Sequence, residues 1–101
     1  MVQEFTNIDD FRAAFNEEAA KGTKFLAWFT GAIDANGRSW CGDCVNAKDD
    51  IERIVGLAEG KRNILKGVVT RAEWSGQSGH PYRHAPFNAG GVPCMVLFEG
   101  A

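Results

Sequence analysis

The chemistry of this chain is concentrated in Trp40-Cys41-Gly42-Asp43-Cys44. Two thiols three positions apart, with an aromatic residue before them and a helical pattern after them, read as a redox dithiol. On the first turn of a helix, a Cys at the N-cap edge and a Cys three residues later share one face. Such a pair can close a small disulfide ring or open to two thiols. The first sulfur lies where unpaired backbone N–H groups point outward, which favours a thiolate, the nucleophile of disulfide exchange. A free Cys ionises at about 8.5, and a helix N-terminus draws it towards about 7. Asp43 opposes this, because a carboxylate beside a thiolate disfavours ionisation. Cys41 is therefore expected to be activated without being extremely acidic. Against the redox reading stand a pair of metal ligands and a chance spacing.

Other residues could join this chemistry. Cys94 is a third thiol. It reads as a small buried hydrophobe, a spare thiol, a second resolving thiol, or a third ligand for zinc or an iron–sulfur cluster with Cys41 and Cys44. His80 and His84 lie in an irregular segment, and no zinc spacing is met, so they read as loop residues. Asp34 and Arg38 precede the dithiol. They are either solvated or placed to select substrates by charge. Trp40 either covers the dithiol and meets substrate or packs in the core.

The elements that must position these residues follow from pattern. Residues 8–21 predict an amphipathic helix, capped by Thr6 or Asn7, with Ile8, Phe11, Phe15 and Ala19 on one face. The apolar run 24–29 predicts a central strand buried on both sides. Residues 30–39 form a loop with an Asn36-Gly37 turn signal. The dithiol then opens a helix over 42–59, with Ile51, Ile54, Val55 and Ala58 as its buried stripe. Gly56 weakens that helix by about 1 kcal/mol relative to Ala. Residues 63–70 read as a second buried strand, in which Gly67 marks a bulge or a close backbone contact. Residues 71–91 are irregular, with a short helix near 81–88 that Pro86 limits. Residues 94–99 are a strand, and Gly100 suggests a turn. Alternating helices and strands make a layered α/β domain with right-handed crossovers. Sites in such sheets lie beyond the carboxyl ends of the strands, where the dithiol falls.

Bulk properties narrow the setting. At 101 residues the chain is read as one domain, 1–101. Apolar residues make up 45% and charged ones 24%, as in soluble globular proteins. A net charge of -2 with interspersed Lys and Arg argues against nucleic acid. The N-terminus has no basic and apolar signal region, and no apolar run approaches the roughly 20 residues that span a bilayer. An intracellular, cytoplasmic protein without a membrane partner is expected. Three cysteines, an odd count, argue against a secreted disulfide framework.

A buried strand, Trp-Cys-x-x-Cys opening a helix, and a later Val92-Pro93 leading into a strand resemble the thioredoxin fold. More narrowly, Trp28-Phe29-Thr30-Gly31, the ten-residue loop ending at Ser39, and Trp40-Cys41-Gly42-Asp43-Cys44-Val45 resemble the family of the fourteen-kilodalton thioredoxin-related protein. The resemblance implies a three-layer sandwich around a mixed sheet, and a cytosolic disulfide reductase that needs no bound cofactor. It implies Cys41 as attacking thiol, Cys44 as resolving thiol, and Pro93 as the cis-proline facing them. Gly91, Val92 and Pro93 then form a substrate groove with Trp40, and Val92 offers its backbone to an incoming chain. Substrates would be selected disulfide-containing proteins or small disulfides, and thioredoxin reductase the electron donor. The position where thioredoxins carry a buried acid corresponds to Ala27, which leaves Asp43 or water to move protons at Cys44.

The chain departs from the family in three places. Gly42 replaces the usual proline, Cys94 replaces the usual Thr, and the sequence ends at Ala101. The last predicts a sheet without its C-terminal strand and helix, with alternate residues of Met95–Phe98 exposed and open to dimerisation. The competing functions are a zinc or iron–sulfur protein using Cys41, Cys44 and Cys94, and an inactive adaptor binding peptides beside Val92-Pro93.

Overall fold

The computed structural model describes residues 2–74 and 80–99. Their order is β1 (Val2–Phe5), α1 (Ile8–Ala20), β2 (Lys24–Gly31), α2 (Gly42–Asn46), α3 (Lys48–Ala58), β3 (Ile64–Val69), α4 (Arg71–Trp74), a 3-10 turn at Pro81–Arg83, and β4 (Cys94–Glu99). The strands form one sheet in the order β1-β3-β2-β4. β1 and β2 run parallel to β3, and β4 runs antiparallel to β2. The sheet is mixed, with α1 on one face and α2 and α3 on the other. The thioredoxin-like α/β architecture expected from the sequence is the one found.

The core sits between α1 and the sheet. Asn7 starts α1, its Oδ1 accepting the Asp9 and Asp10 N–H groups at 2.8 and 3.2 Å. This aims Phe11 and Phe15 inwards. Phe11 packs within 5.0–5.6 Å, centroid to centroid, of Phe29, Tyr82 and Phe87. Phe15 meets Phe25 at 5.3 Å and Phe98 at 4.9 Å, edge to face. Such aromatic pairs contribute about 0.5–1.5 kcal/mol each beyond their burial. Gly67 makes the close contact foreseen for it: a Cβ there would stand 3.0 Å from the Tyr82 hydroxyl.

Burial is one-sided. Phe25, Ala27 and Phe29 of β2 are fully buried towards α1, whereas Leu26 and Trp28 are half-buried on the opposite face. The expectation of a strand buried on both sides is corrected accordingly. The reason lies in the second helical layer. The helix expected over 42–59 is divided at Ala47, whose φ of -90° and ψ of -1° end α2 before α3 begins. No residue of α3 is buried. In place of the expected stripe, Ile51, Val55 and Ala58 are half-buried, while Ile54 is exposed and Leu57 is 68% exposed. On the same sheet face Leu97 of β4 is 51% exposed. β4 is an edge strand, and its other alternate set, Val96 and Phe98, is half-buried.

Two elements escaped the sequence reading. β1 is a short edge strand with no apolar alternation, and α4 is a single turn. The helix expected near 81–88 is only the 3-10 turn, because Pro86 has no N–H to continue it. Val92–Pro93 is cis, as the family resemblance implied, and Ala85–Pro86 is cis as well. The turn expected at Gly100, the end at Ala101, and residues 75–79 of the irregular stretch lie outside the described residues.

Phe11 joins α1 to both the sheet and the 81–89 segment. Phe11→Ala is therefore expected to lower unfolding stability by about 3–5 kcal/mol, read from the urea midpoint. A loss under about 1 kcal/mol would contradict the one-sided core.

Candidate active site

Cys41 is the N-cap of α2, with extended backbone at φ -93° and ψ 107°. Its Sγ accepts the Cys44 N–H at 3.1 Å, the capping bond that a helix start requires. The same thiol donates to the Val92 carbonyl at 3.4 Å, just before the cis-proline. The Cys44 Sγ accepts the Gly31 N–H at 3.4 Å. Both thiols are free, 6% and 8% exposed. The dithiol thus sits between α2, the end of β2 and the Val92–Pro93 segment.

The walls are backbone and small groups. Ser39 Oγ donates to the Gly31 carbonyl at 3.4 Å and accepts the Cys41 N–H at 3.2 Å. The Trp40 indole N–H donates to the Val69 carbonyl at 3.0 Å. A Cβ on Gly31 would lie 2.9 Å from the Cys41 Cβ and 3.0 Å from both Ser39 Oγ and the Trp40 ring, so only glycine lets β2 approach this closely. Trp40 is half-buried and packed against this glycine, a structural wall of the dithiol. Gly31 and Ser39 were missed as site residues. The signal was their position at the two ends of the loop, where Ile33 and Ser39 form an isolated bridge.

Burial dominates the electrostatics. The Cys41 thiol is pushed from 9.0 up to about 11, first by desolvation, then by the Cys44 thiol, with the Asp43 carboxylate adding to it. The Cys44 N–H pulls the other way but does not win. The expected activation of Cys41 is therefore corrected: at rest it is a protected thiol. Asp43 opposes the thiolate as anticipated, from an exposed position on the first turn of α2.

The remaining candidates separate cleanly. Val92 is buried, Pro93 half-buried and Gly91 exposed, so the groove edge reaches solvent beside Cys41. Cys94 is half-buried opposite Phe29 and packs against the α1-side core, with its thiol raised by burial. Among the described residues no group of three or more Cys, His, Asp or Glu could hold a metal ion. His80 caps the 3-10 turn, its Nδ1 accepting the Tyr82 N–H at 3.1 Å, and burial lowers its pKa. His84 is an exposed loop residue. Asp34 organises its own loop, accepting the Asn36 and Arg38 N–H groups at 2.9 and 3.0 Å.

Behind Cys44 a cavity of about 650 Å³ separates the sheet from α2 and α3. Trp28, Lys66, Val45 and Ile51 line it, with Arg38 at the loop side. Inside it Lys66 Nζ lies 3.0 Å from Glu4 Oε1 and 4.5 Å from the centroid of the Trp28 ring.

A parallel β1-β3-β2 core with an antiparallel β4, a dithiol opening the helix after β2 and a cis-proline facing it define a thioredoxin-like domain. Residues 2–101 match the family described as Thioredoxin domain-containing protein 17-like, thioredoxin domain, and the chain belongs to that family. It is 34% identical over 91 residues to Thioredoxin domain-containing protein 17 of Epinephelus coioides, covering 89% of this chain and 71% of that protein. The protein of the same description from Homo sapiens is 34% identical over 64 residues, covering 63% of this chain and 46% of its own length. That from Danio rerio is 32% identical over 79 residues, covering 77% and 63%. The chain therefore aligns with under two thirds of the human and Danio rerio proteins.

A thiol raised to about 11 stays protonated through neutral pH, so its nucleophilicity grows with pH. Alkylation of Cys41 by iodoacetamide, followed by mass spectrometry, is expected to speed up about tenfold per pH unit between pH 7 and 10. Asp43→Asn should shift that curve to lower pH. A plateau already at pH 7 would show a resting thiolate instead. Folding stability moves the opposite way: an unfolded thiol loses its proton at the ordinary thiol value while the folded one keeps it, so stability falls as pH rises from there towards about 11.

Proposed function

We propose that the protein is a thiol–disulfide oxidoreductase working as a disulfide reductase in a reducing, cytoplasmic compartment. The observation that carries this reading is the seat of the Cys41 sulfur, between the Cys44 N–H and the Val92 carbonyl beside the cis-proline. In the first step Cys41 loses its proton and attacks one sulfur of a substrate disulfide. The Cys41–substrate S–S bond forms, the substrate S–S bond breaks, and the leaving thiolate takes up a proton. In the second step Cys44 loses its proton and attacks the Cys41 sulfur. The Cys41–Cys44 disulfide forms and the second substrate thiol leaves. Two electrons pass from the dithiol to the substrate.

The capping N–H of Cys44 supports this order. It points at Cys41 and stabilises negative charge there once the proton has gone. Ala27 is buried on the α1 face, away from the cavity behind Cys44, and takes no part in proton transfer there. In this reading Asp43 or water carries the protons, substrates are selected protein or small disulfides, and thioredoxin reductase restores the dithiol.

Cys44→Ser leaves the attack intact and removes resolution. It is expected to accumulate mixed disulfides through Cys41, detected by non-reducing gel and mass spectrometry. Cys41→Ser should accumulate none and lose disulfide reduction. A Cys44→Ser protein that traps nothing would point instead to an adaptor binding chains beside Val92–Pro93.

A further inference from the structure

The backbone that leads into the groove runs between two fixed points. Ala89 is fully buried, its N–H donating to the Tyr82 carbonyl at 2.8 Å. Val92 is buried and bonded to Cys41. Between these fixed points lie Gly90 and Gly91, both exposed. Among the described residues, a Cβ on either would meet nothing within 4 Å. Glycine backbones roam more than any other, and this pair sets the course of Val92–Pro93.

Among the described residues, Arg83 reaches this stretch. Arg83 Nη1 donates to the Gly90 carbonyl at 3.4 Å, and Nη2 donates to the Trp74 carbonyl at 3.2 Å. The guanidinium lies 3.8 Å from the centroid of the buried Trp74 ring. The Trp74 end is firm. Thr70 and Glu73 cap α4 reciprocally, with the Thr70 N–H on Glu73 Oε1 at 2.9 Å and the Glu73 N–H on Thr70 Oγ1 at 3.2 Å. The Arg83 fork therefore ties the loose glycine pair to a capped turn. Its Nε is buried without a hydrogen-bond partner among the described residues.

We propose that Arg83 is a positioning residue that holds the Gly91–Val92–Pro93 backbone ready for a substrate chain, and so favours peptide and protein disulfides over small ones. This rests on the reductase reading above. A substrate chain pairing with Val92 needs that backbone already extended. If the segment wanders, binding must order it first and affinity falls. A small disulfide that engages only the sulfurs makes no such demand.

The test compares single turnovers of the pre-reduced protein with a short synthetic peptide closed by one disulfide and with bis(2-hydroxyethyl) disulfide. In Arg83→Gln the half-saturating peptide concentration is expected to rise about tenfold. The maximal peptide rate and the rate with the small disulfide should stay within about twofold. Arg83→Lys keeps the charge but not the fork that spans two carbonyls, so it should behave alike, and it serves if Arg83→Gln does not fold. Gly90→Ala has room for its methyl and stiffens the stretch, so it should recover part of the peptide affinity in either background. An unchanged half-saturation, or equal slowing of both disulfides, overturns the proposal while leaving the reductase reading standing. A wild-type protein that reduces neither disulfide overturns both.

Discussion

The structure depends on one sulfur being held by two backbone groups from distant parts of the chain. Cys41 caps α2 through the Cys44 N–H and reaches across to the Val92 carbonyl, 51 residues away in sequence. Neither bond is strong alone, since net contributions of such bonds are about 1 kcal/mol. What matters is that both must be met at once. α2 has to start where β2 ends, and the cis-proline segment has to arrive beside it. Gly31 makes the first approach feasible, and the Ser39 hydroxyl and Trp40 indole lock it. The aromatic cluster beneath makes the second feasible, because Phe11 packs against β2 through Phe29 and against the 81–89 segment through Tyr82 and Phe87.

The same closure sets the chemistry. Two effects compete at Cys41, the helix N-terminus that favours a thiolate and the burial that opposes it. Read from sequence, the first should win, because an N-cap sulfur on an exposed turn lies in a positive field. In the structure desolvation wins and the thiol is raised to about 11. The neutral S–H donates to the Val92 carbonyl, and the Cys44 N–H is the group that favours the thiolate against burial, the Cys44 thiol and the Asp43 carboxylate.

Much of this was legible in the residues. The dithiol, the helix from 8, the strands at 24, 64 and 94 and the tight approach at Gly67 follow from local pattern, and local pattern is what a sequence displays most directly. The cis Val92–Pro93 bond came from family likeness, since spacing alone favours trans. What escaped has a common cause. β1 is stabilised by pairing with β3 and not by its own alternation. Asn7, in contrast, caps α1 through its own side chain and could be read. Arg83 showed no signal because its partners, the Trp74 and Gly90 carbonyls, meet it only in the folded chain. The Cys41 ionisation was misjudged because burial is a property of the assembled site, which no pentapeptide contains.

The division of the sheet into a packed face and a loosely seated one gives this arrangement its logic. α1 presses Phe11 and Phe15 into the sheet and carries the stability. α3, with no buried residue, leaves a cavity of about 650 Å³ behind Cys44. Because α2 ends at Ala47, the dithiol turn is fastened to the packed part of the protein through Gly31 and Val92, independently of how α3 is seated. The helix that follows the motif contributes little to placing the sulfurs. The strand before them and the segment beside them do that, so geometry at the dithiol is governed by β2 and the cis-proline segment.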